Sequence, residues 1–249
     1  MNSKLSLMDL YNVGSHRGNH KSRLNPKLKK FVHQKTKDSI CVIDLTKTMN
    51  VLNDILVFVH KLGQQKKQLF IVGTSNYLSN LVPDLSKKFK SDQMPYVDNR
   101  WLGGTLTNWV TVRKTLKSLE KLENIKNNSD FFDKLSRNEQ LNTNREYQKK
   151  NALFGGLKTL KNNRPGAVII LDTIKNSNAI LEAQTVGIPI IAFTNLNTLL
   201  LPKDLSKTLV FNNTSVSAVE LMFNEIVEAY NQGLIVQIEE KTEKTEKIN

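Results

Sequence analysis

The chain has 249 residues, 39% of them hydrophobic, and a formal net charge of +13, enough length for one large domain with a sizeable core. No apolar run approaches the roughly 20 residues of a membrane-spanning helix, and the amino terminus MNSKLSLMDLYNVG carries no signal-type apolar core, which argues against secretion. One cysteine and four histidines without CxxC or HExxH spacing leave little material for a disulfide framework or a transition-metal site, while the positive charge favours a polyanionic partner, nucleic acid first.

Residues 1 to 37 hold nine Lys or Arg against one acid, Asp9. Interleaved with Gly, Asn, Pro and His in GSHRGNHKSRLNPKLKKFVHQK, these cations read as an irregular basic arm. ICVIDL (40–45) reads as a buried first strand, with Cys41 as a small hydrophobe. A helix follows, in which Leu52, Leu56, Val59 and Leu62 recur at three- and four-residue spacing. LFIVGT (69–74) is a second strand, SNYLSNLVPDLSKKF a second helix interrupted at Pro83, and MPYV (94–97) a short third strand. AVIILD (167–172), IPIIAF (188–193) and TLVF (208–211) continue the series. Helical SNAILEAQTVG lies between the first two of these and ends at Gly187, and SAVELMFNEIVEAYNQG closes the domain as a helix ending at Gly233. Runs apolar on both faces that alternate with helices imply a parallel sheet covered on both sides, a doubly wound α/β domain.

The interval 105–152 breaks this alternation. Trp109, Val112, Leu116, Leu119, Leu122 and Ile125 place one narrow apolar seam on a long charged helix. KNNSD then reads as a turn, and Ser136 with Glu139 has the capping-box spacing of a return helix. The expected product is an antiparallel, coiled-coil hairpin that projects from the sheet, its seam closed by the two helices packing on each other. The α/β domain is then discontinuous, 38–104 with 153–234, and residues 235–249 form a charged, disordered tail.

The chemistry of a nucleotide site is mostly missing. Neither DLTKT nor GTSNY offers a GxGxxG or GxxxxGKS loop. Gly103 and Gly104, ahead of a helix, have the potential to bind an anion through free backbone amides. Asp44, Asp98 and Asp172 fall at strand ends, where helix capping is favoured over acid/base work because no nucleophile or metal cluster accompanies them. The competing reading is a nucleotide-binding enzyme of the doubly wound class, using Gly73, Asp98 and Asp172. A third is a free regulatory RNA-binding module. His16, His20 and His33 lie on the arm, where RNA contact or solvation is favoured over a metal.

Residues 96–123, YVDNRWLGGTLTNWVTVRKTLKSLEKLE, resemble the hallmark segment of the bacterial-type family of small-subunit ribosomal protein S two. MDLYNVGSHRGN, RLNPKLKKFV, CVIDLTKT, LFIVGT, FGGLKTL, PGAVIILDT and EAQTVGIPIIAFTN agree in order, from about residue 6 to 234. The resemblance implies a flavodoxin-like domain with a projecting coiled-coil hairpin. It also implies a structural role in the small ribosomal subunit, with no catalysis, cofactor or metal, in a bacterial cytoplasm or inside an organelle. Implied partners are small-subunit rRNA, neighbouring ribosomal proteins and the OB-repeat protein S one, with no membrane and no homo-oligomer. On this reading His16, Arg17, Lys21, Arg23, Asn25, Lys27, Lys29 and Lys30 of the arm meet rRNA. Asn99, Arg100, Gly103, Gly104, Thr105, Thr107, Asn108 and Arg113 at the hairpin root do the same.

The chain departs from the family pattern at two places. The usual start appears as Gly14, His16, Arg17, Gly18 and Asn19, then Leu24, Asn25, Pro26 and Lys27, with the second histidine and two aromatic positions replaced. Near the end, three family carboxylates are absent from Asn195, Leu196, Asn197 and from Phe211, Asn212, Asn213, Thr214, Ser215.

Overall fold

The basic arm is folded. The computed structural model describes residues 3–90, 93–128, 132, 135–162 and 164–246, with side chains as far as 236. Helix α1 (Leu7–Asn12), closed by a capping box between Ser6 and Asp9, is followed by β1 (Arg17–His20), two 3-10 segments (Lys21–Arg23 and Pro26–Phe31) and β2 (Val32–Lys35). Both strands pair antiparallel with β3 (Ile40–Ile43), giving the order β1-β3-β2. Two expectations are thereby corrected: the arm is not irregular, and residues 40–45 do not begin the parallel sheet. The physical reason is that β3 has one apolar face. It buries Cys41 and Ile43 against Leu28, Phe31, Leu196 and Val210, while Ile40 is exposed. A strand covered on both sides would bury every residue.

The chain then runs through α2 (Leu45–Gln64), β4 (Leu69–Val72), α3 (Leu81–Lys87), β5 (Tyr96–Val97), α4 (Trp109–Asn127), α5 (Arg137–Phe154), β6 (Ala167–Ile170), α6 (Ser177–Val186), β7 (Ile190–Thr194), β8 (Thr208–Val210) and α7 (Val216–Glu246). The five later strands form a parallel sheet in the order β5-β4-β6-β7-β8. Counted from β4 this is 2-1-3-4-5, the flavodoxin-like order. Strands β4, β6 and β7 bury every residue, so alternate side chains feed two cores. One core joins Leu69, Ile71, Ile169 and Phe193 to α2, α3 and α7. The other joins Phe70, Val72, Val168 and Ile170 to α6, the hairpin root and Leu157 and Leu160.

Local signals account for most boundaries. Asp44 caps α2 by accepting from the amides of Thr46 and Lys47 at 3.1 and 3.4 Å, the expected role. Gly187 ends α6 at φ +79°. Pro83 does not interrupt a helix, because residues 75–80 are turns and Pro83 stands in the first turn of α3, where an amide hydrogen has no intrahelical partner to lose. Gly233 does not end α7. A Cβ at Gly233 would lie 2.2 Å from the His60 carbonyl oxygen, and one at Gly63 would lie 2.3 Å from that of Tyr230. The two glycines let α2 and α7 cross with their backbones nearly touching, and α7 runs on through residues 235–246 of the expected tail, whose last residues, 247–249, lie outside the described ones.

The inserted hairpin is the antiparallel pair α4 and α5. Ser136 and Glu139 form the expected capping box, whereas part of the KNNSD turn lies outside the described residues. The seam is asymmetric. Helix α4 buries Val112, Leu116 and Leu119, but α5 buries no residue. Polar contacts take over along the shaft: the Tyr147 ring lies 4.8 Å from Lys126 Nζ, and Lys150 Nζ donates to Ser118 Oγ at 2.8 Å. The fully buried apolar residues of the pair thus all come from α4, as far along it as Leu119.

Candidate nucleic-acid interface

Residues 99–109, NRWLGGTLTNW, leave β5 and enter α4 as a series of turns around one carboxylate. Glu182, on α6, accepts from Trp101 Nε1 at 2.9 Å, from the amides of Gly104, Leu106 and Thr107 at 2.8, 3.1 and 3.4 Å, and from the Thr107 hydroxyl at 3.3 Å. Gly104 makes this convergence possible at φ +89°, a conformation costly for any residue with a Cβ. Successive amides aimed at one point form an anion nest, and here the anion is internal. The amides of Gly104, Leu106 and Thr107 are thus not free for phosphate, which corrects the expectation drawn from Gly104.

The bulky residues of the stretch anchor it. Trp101 is 9% exposed, with its ring 5.8 Å from that of Phe70, and half-buried Trp109 packs on the same core. Thr105 is buried and donates to the Leu102 carbonyl at 2.6 Å. Asn108 occupies the cap position of α4 without a side-chain bond to the helix backbone, and its Oδ1 accepts from the Thr111 hydroxyl at 3.0 Å. Asn99, Arg100, Gly103 and Arg113 remain on the surface. Sequence reasoning missed Glu182, although a signal exists: it is the single charged residue in SNAILEAQTV.

On the arm, Arg17, Lys21, Arg23, Lys27, Lys29 and Lys30 are all exposed. Asn25 is not. It is 8% exposed, its Nδ2 donates to the Thr198 carbonyl at 2.6 Å and its Oδ1 accepts from the Lys27 amide at 2.9 Å. Its side chain ties the arm to the loop after β7 and is spent on the fold. His16 stacks on Tyr11, with ring centroids 4.2 Å apart. Burial, and then the neighbouring charge of Arg17, hold its pKa below 6.5. At neutral pH His16 therefore offers a hydrogen bond and no charge. His20 Nδ1 accepts from the Ser22 amide at 3.3 Å, a local cap.

The residues that depart from the family pattern explain how the arm is held. Asn212 Nδ2 donates to the Gly14 carbonyl at 3.3 Å, Ser215 Oγ to the Val13 carbonyl at 3.1 Å, and Asn213 Nδ2 to the Leu171 carbonyl at 3.3 Å. A carboxylate has no hydrogen to donate to these carbonyls.

The place where doubly wound folds bind nucleotides, between the carboxyl ends of β4 and β6, is closed by side chains. Buried Asp172 accepts from the hydroxyls of Ser75 and, at 3.3 Å, Tyr77, while its Oδ1 accepts from the Ile174 amide at 3.0 Å. Burial and the charge of Asp172 push the Tyr77 hydroxyl up to about 12. Thr74 Oγ1 donates to Asn176 Oδ1 at 2.8 Å, completing the bridge. Gly73 serves close packing, since a Cβ there would lie 2.7 Å from Val82. Gly73, Asp98 and Asp172 therefore do not assemble into a catalytic cleft.

The model of the family described as Ribosomal protein S2 matches residues 10–233. The chain belongs to this family. S2-family relatives include the small ribosomal subunit protein uS2 of Vibrio cholerae serotype O1, 34% identical over 93% of this chain and 92% of its own length. The protein of that name from Colwellia psychrerythraea is 34% identical over 95% and 96%, and that from Sulfurimonas denitrificans 32% identical over 92% and 85%. The S2 family is one of ribosomal proteins, not of enzymes. Among the described residues no helix is long and apolar enough to cross a membrane.

Proposed function

We propose that the chain is a structural component of the small ribosomal subunit that binds small-subunit rRNA through the folded arm and the exposed rim of the hairpin root. The observation that carries this reading is the state of the arm cations: Arg17 on β1, Lys21 and Arg23 on the first 3-10 segment and Lys27, Lys29 and Lys30 on the second are exposed, with no acidic partner among the described residues. Unneutralised cations on a fixed scaffold suit phosphate, whose counterions are released on contact. At the hairpin root Asn99, Arg100, Gly103 and Arg113 take the surface role. Gly104, Thr105 and Thr107 shape the loop, Thr107 from an exposed position. Asn25 positions the arm and His16 adds an uncharged donor or acceptor.

Neighbouring small-subunit proteins, the OB-repeat protein S one among them, are the remaining partners, in a bacterial cytoplasm or an organelle that makes its own ribosomes. The test is sedimentation of the native protein from its source. It is expected to travel with small subunits and to leave them only at high salt; recovery solely in slow, ribosome-free fractions would overturn the proposal.

A further inference from the structure

A polar crevice of about 290 Å³ opens beside the closed strand-end site, between the loop that follows β4 and the loop that follows β5. Its walls are Thr74, Asn76, Ser79 and Asn80 on one side and Asp98 and Asn99 on the other. Small-ligand clefts begin at roughly this size, about 300 Å³, but they are mostly apolar, and this one is lined by carboxamides, hydroxyls and one carboxylate. The carboxamides of Asn76, Asn80 and Asn99 make no hydrogen bond within the described residues. Asn80 even stands at the cap position of α3 without using its side chain there.

The wall behind these groups is fixed. Thr74 is bonded to Asn176, Ser75 and Tyr77 to Asp172. Tyr77, next to Asn76 on the same loop, has a tethered hydroxyl but 40% exposure, which leaves its ring available as a stacking surface. Arg100, following Asn99, is exposed. Free carboxamides on a rigid frame, with an aromatic face and a cation on the adjoining residues, match the groups of one nucleotide. Amides pair with base edges, a carboxylate accepts from a ribose hydroxyl or a base amine, and a guanidinium meets the phosphate.

We propose that this crevice receives a single unpaired nucleotide of RNA, its base edge held by Asn76, Asn80 and Asn99 and a donor of the base or ribose held by Asp98. The inference rests on the rRNA-binding reading given above. A free mononucleotide shares the chemistry, but the crevice has no phosphate-cradling glycine loop of its own, and the arm supplies anchoring only to a polynucleotide.

The experiment uses the full chain and small-subunit rRNA, with affinity measured across a salt series for the wild type, for Asn80→Ala combined with Asn99→Ala, and for Asp98→Asn. These surface positions leave the core intact, and thermal midpoints confirm folding. The double variant is expected to bind about tenfold more weakly with an unchanged salt slope, because no phosphate contact is removed. It is also expected to lose chemical protection at one unpaired nucleotide. Wild-type affinity and protection in both variants would overturn the crevice assignment and leave the rRNA reading standing. Failure of the wild type to bind rRNA would instead remove the reading beneath it. A third arm adds free mononucleotides: a rise in thermal midpoint that does not compete with rRNA would overturn RNA as the source.

Discussion

Glu182 on α6 accepts the indole hydrogen of Trp101 at 2.9 Å and, through the same Oε1, the Gly104 amide at 2.8 Å. One carboxylate thus fixes both the largest side chain of the hairpin root and its most acutely turned residue. Glu182→Gln keeps the shape but sets an NH₂ group against a cluster of donors, so at least one charge-assisted bond is lost and a donor is left facing a donor. A loss of about 2 kcal/mol is expected, with faster amide exchange at Gly104 and Leu106 than in the rest of the domain. Denaturant midpoints and hydrogen exchange measure the two effects. Uniform exchange across the chain would show that the carboxylate does not hold the root.

Helices α2 and α7 provide a second test. Gly63→Ala and Gly233→Ala each improve intrinsic helix propensity by about 1 kcal/mol, yet each drives a methyl group into a facing carbonyl, at 2.3 and 2.2 Å. Overpacking of a tight interface costs about 1–3 kcal/mol, and backbone atoms yield less than side chains, so the clash is expected to win. Gly103→Ala is the control, because a Cβ there meets nothing within 4 Å, and its effect should stay within about 0.5 kcal/mol. Chemical denaturation of the three variants separates them; equal midpoints would deny the close crossing.

How much of the fold and of the interface is legible in the sequence follows from where each signal resides. Residues 69–74, 167–172 and 188–193 are continuous apolar runs, a local pattern, and the parallel sheet is readable from them. Gly187 and the Ser136–Glu139 pair are local as well. Strands β1 (RGNH) and β2 (VHQK) carry no apolar alternation and exist because β3 offers them hydrogen bonds, so the arm reads as irregular. Gly233 reads as a stop signal because the reason for it, the His60 carbonyl, lies on another helix. The loop amides read as available for phosphate because their acceptor lies 78 residues away from Gly104 in the chain. The misses at Gly233 and Gly104 concern partners distant in sequence, whereas those at Pro83 and β2 are short-range.

The stack of His16 on Tyr11 sets a pH dependence. Burial, then Arg17, lowers the folded pKa beneath the unfolded 6.5, so the unfolded chain binds the proton more readily. The stabilising contribution of neutral His16 is complete above pH 6.5 and is lost as pH falls through the folded value. Tyr11→Ala removes the covering ring, and the imidazole is expected to titrate closer to 6.5. Proton NMR of the histidine resonances in both proteins measures the shift; a wild-type value at or above 6.5 would contradict the buried, uncharged state.

The arm cations predict a salt signature. Arg23 and Lys27 are exposed and have no acidic partner among the described residues, so Arg23→Glu with Lys27→Glu removes cations that meet phosphate without breaking an internal ion pair. The slope of log affinity for rRNA against log salt is expected to shrink by about one for each phosphate no longer neutralised. Asn25→Ala, lying between them in sequence, should behave differently. It leaves the Thr198 carbonyl without its donor and frees the Lys27 amide, and so lowers the thermal midpoint by loosening the arm while the charge count stays the same. A reduced slope in the charge variant with an unchanged midpoint, and the opposite pair in Asn25→Ala, would separate the residues that meet phosphate from the one that aims them. An unchanged slope after charge reversal would remove the arm from the rRNA interface.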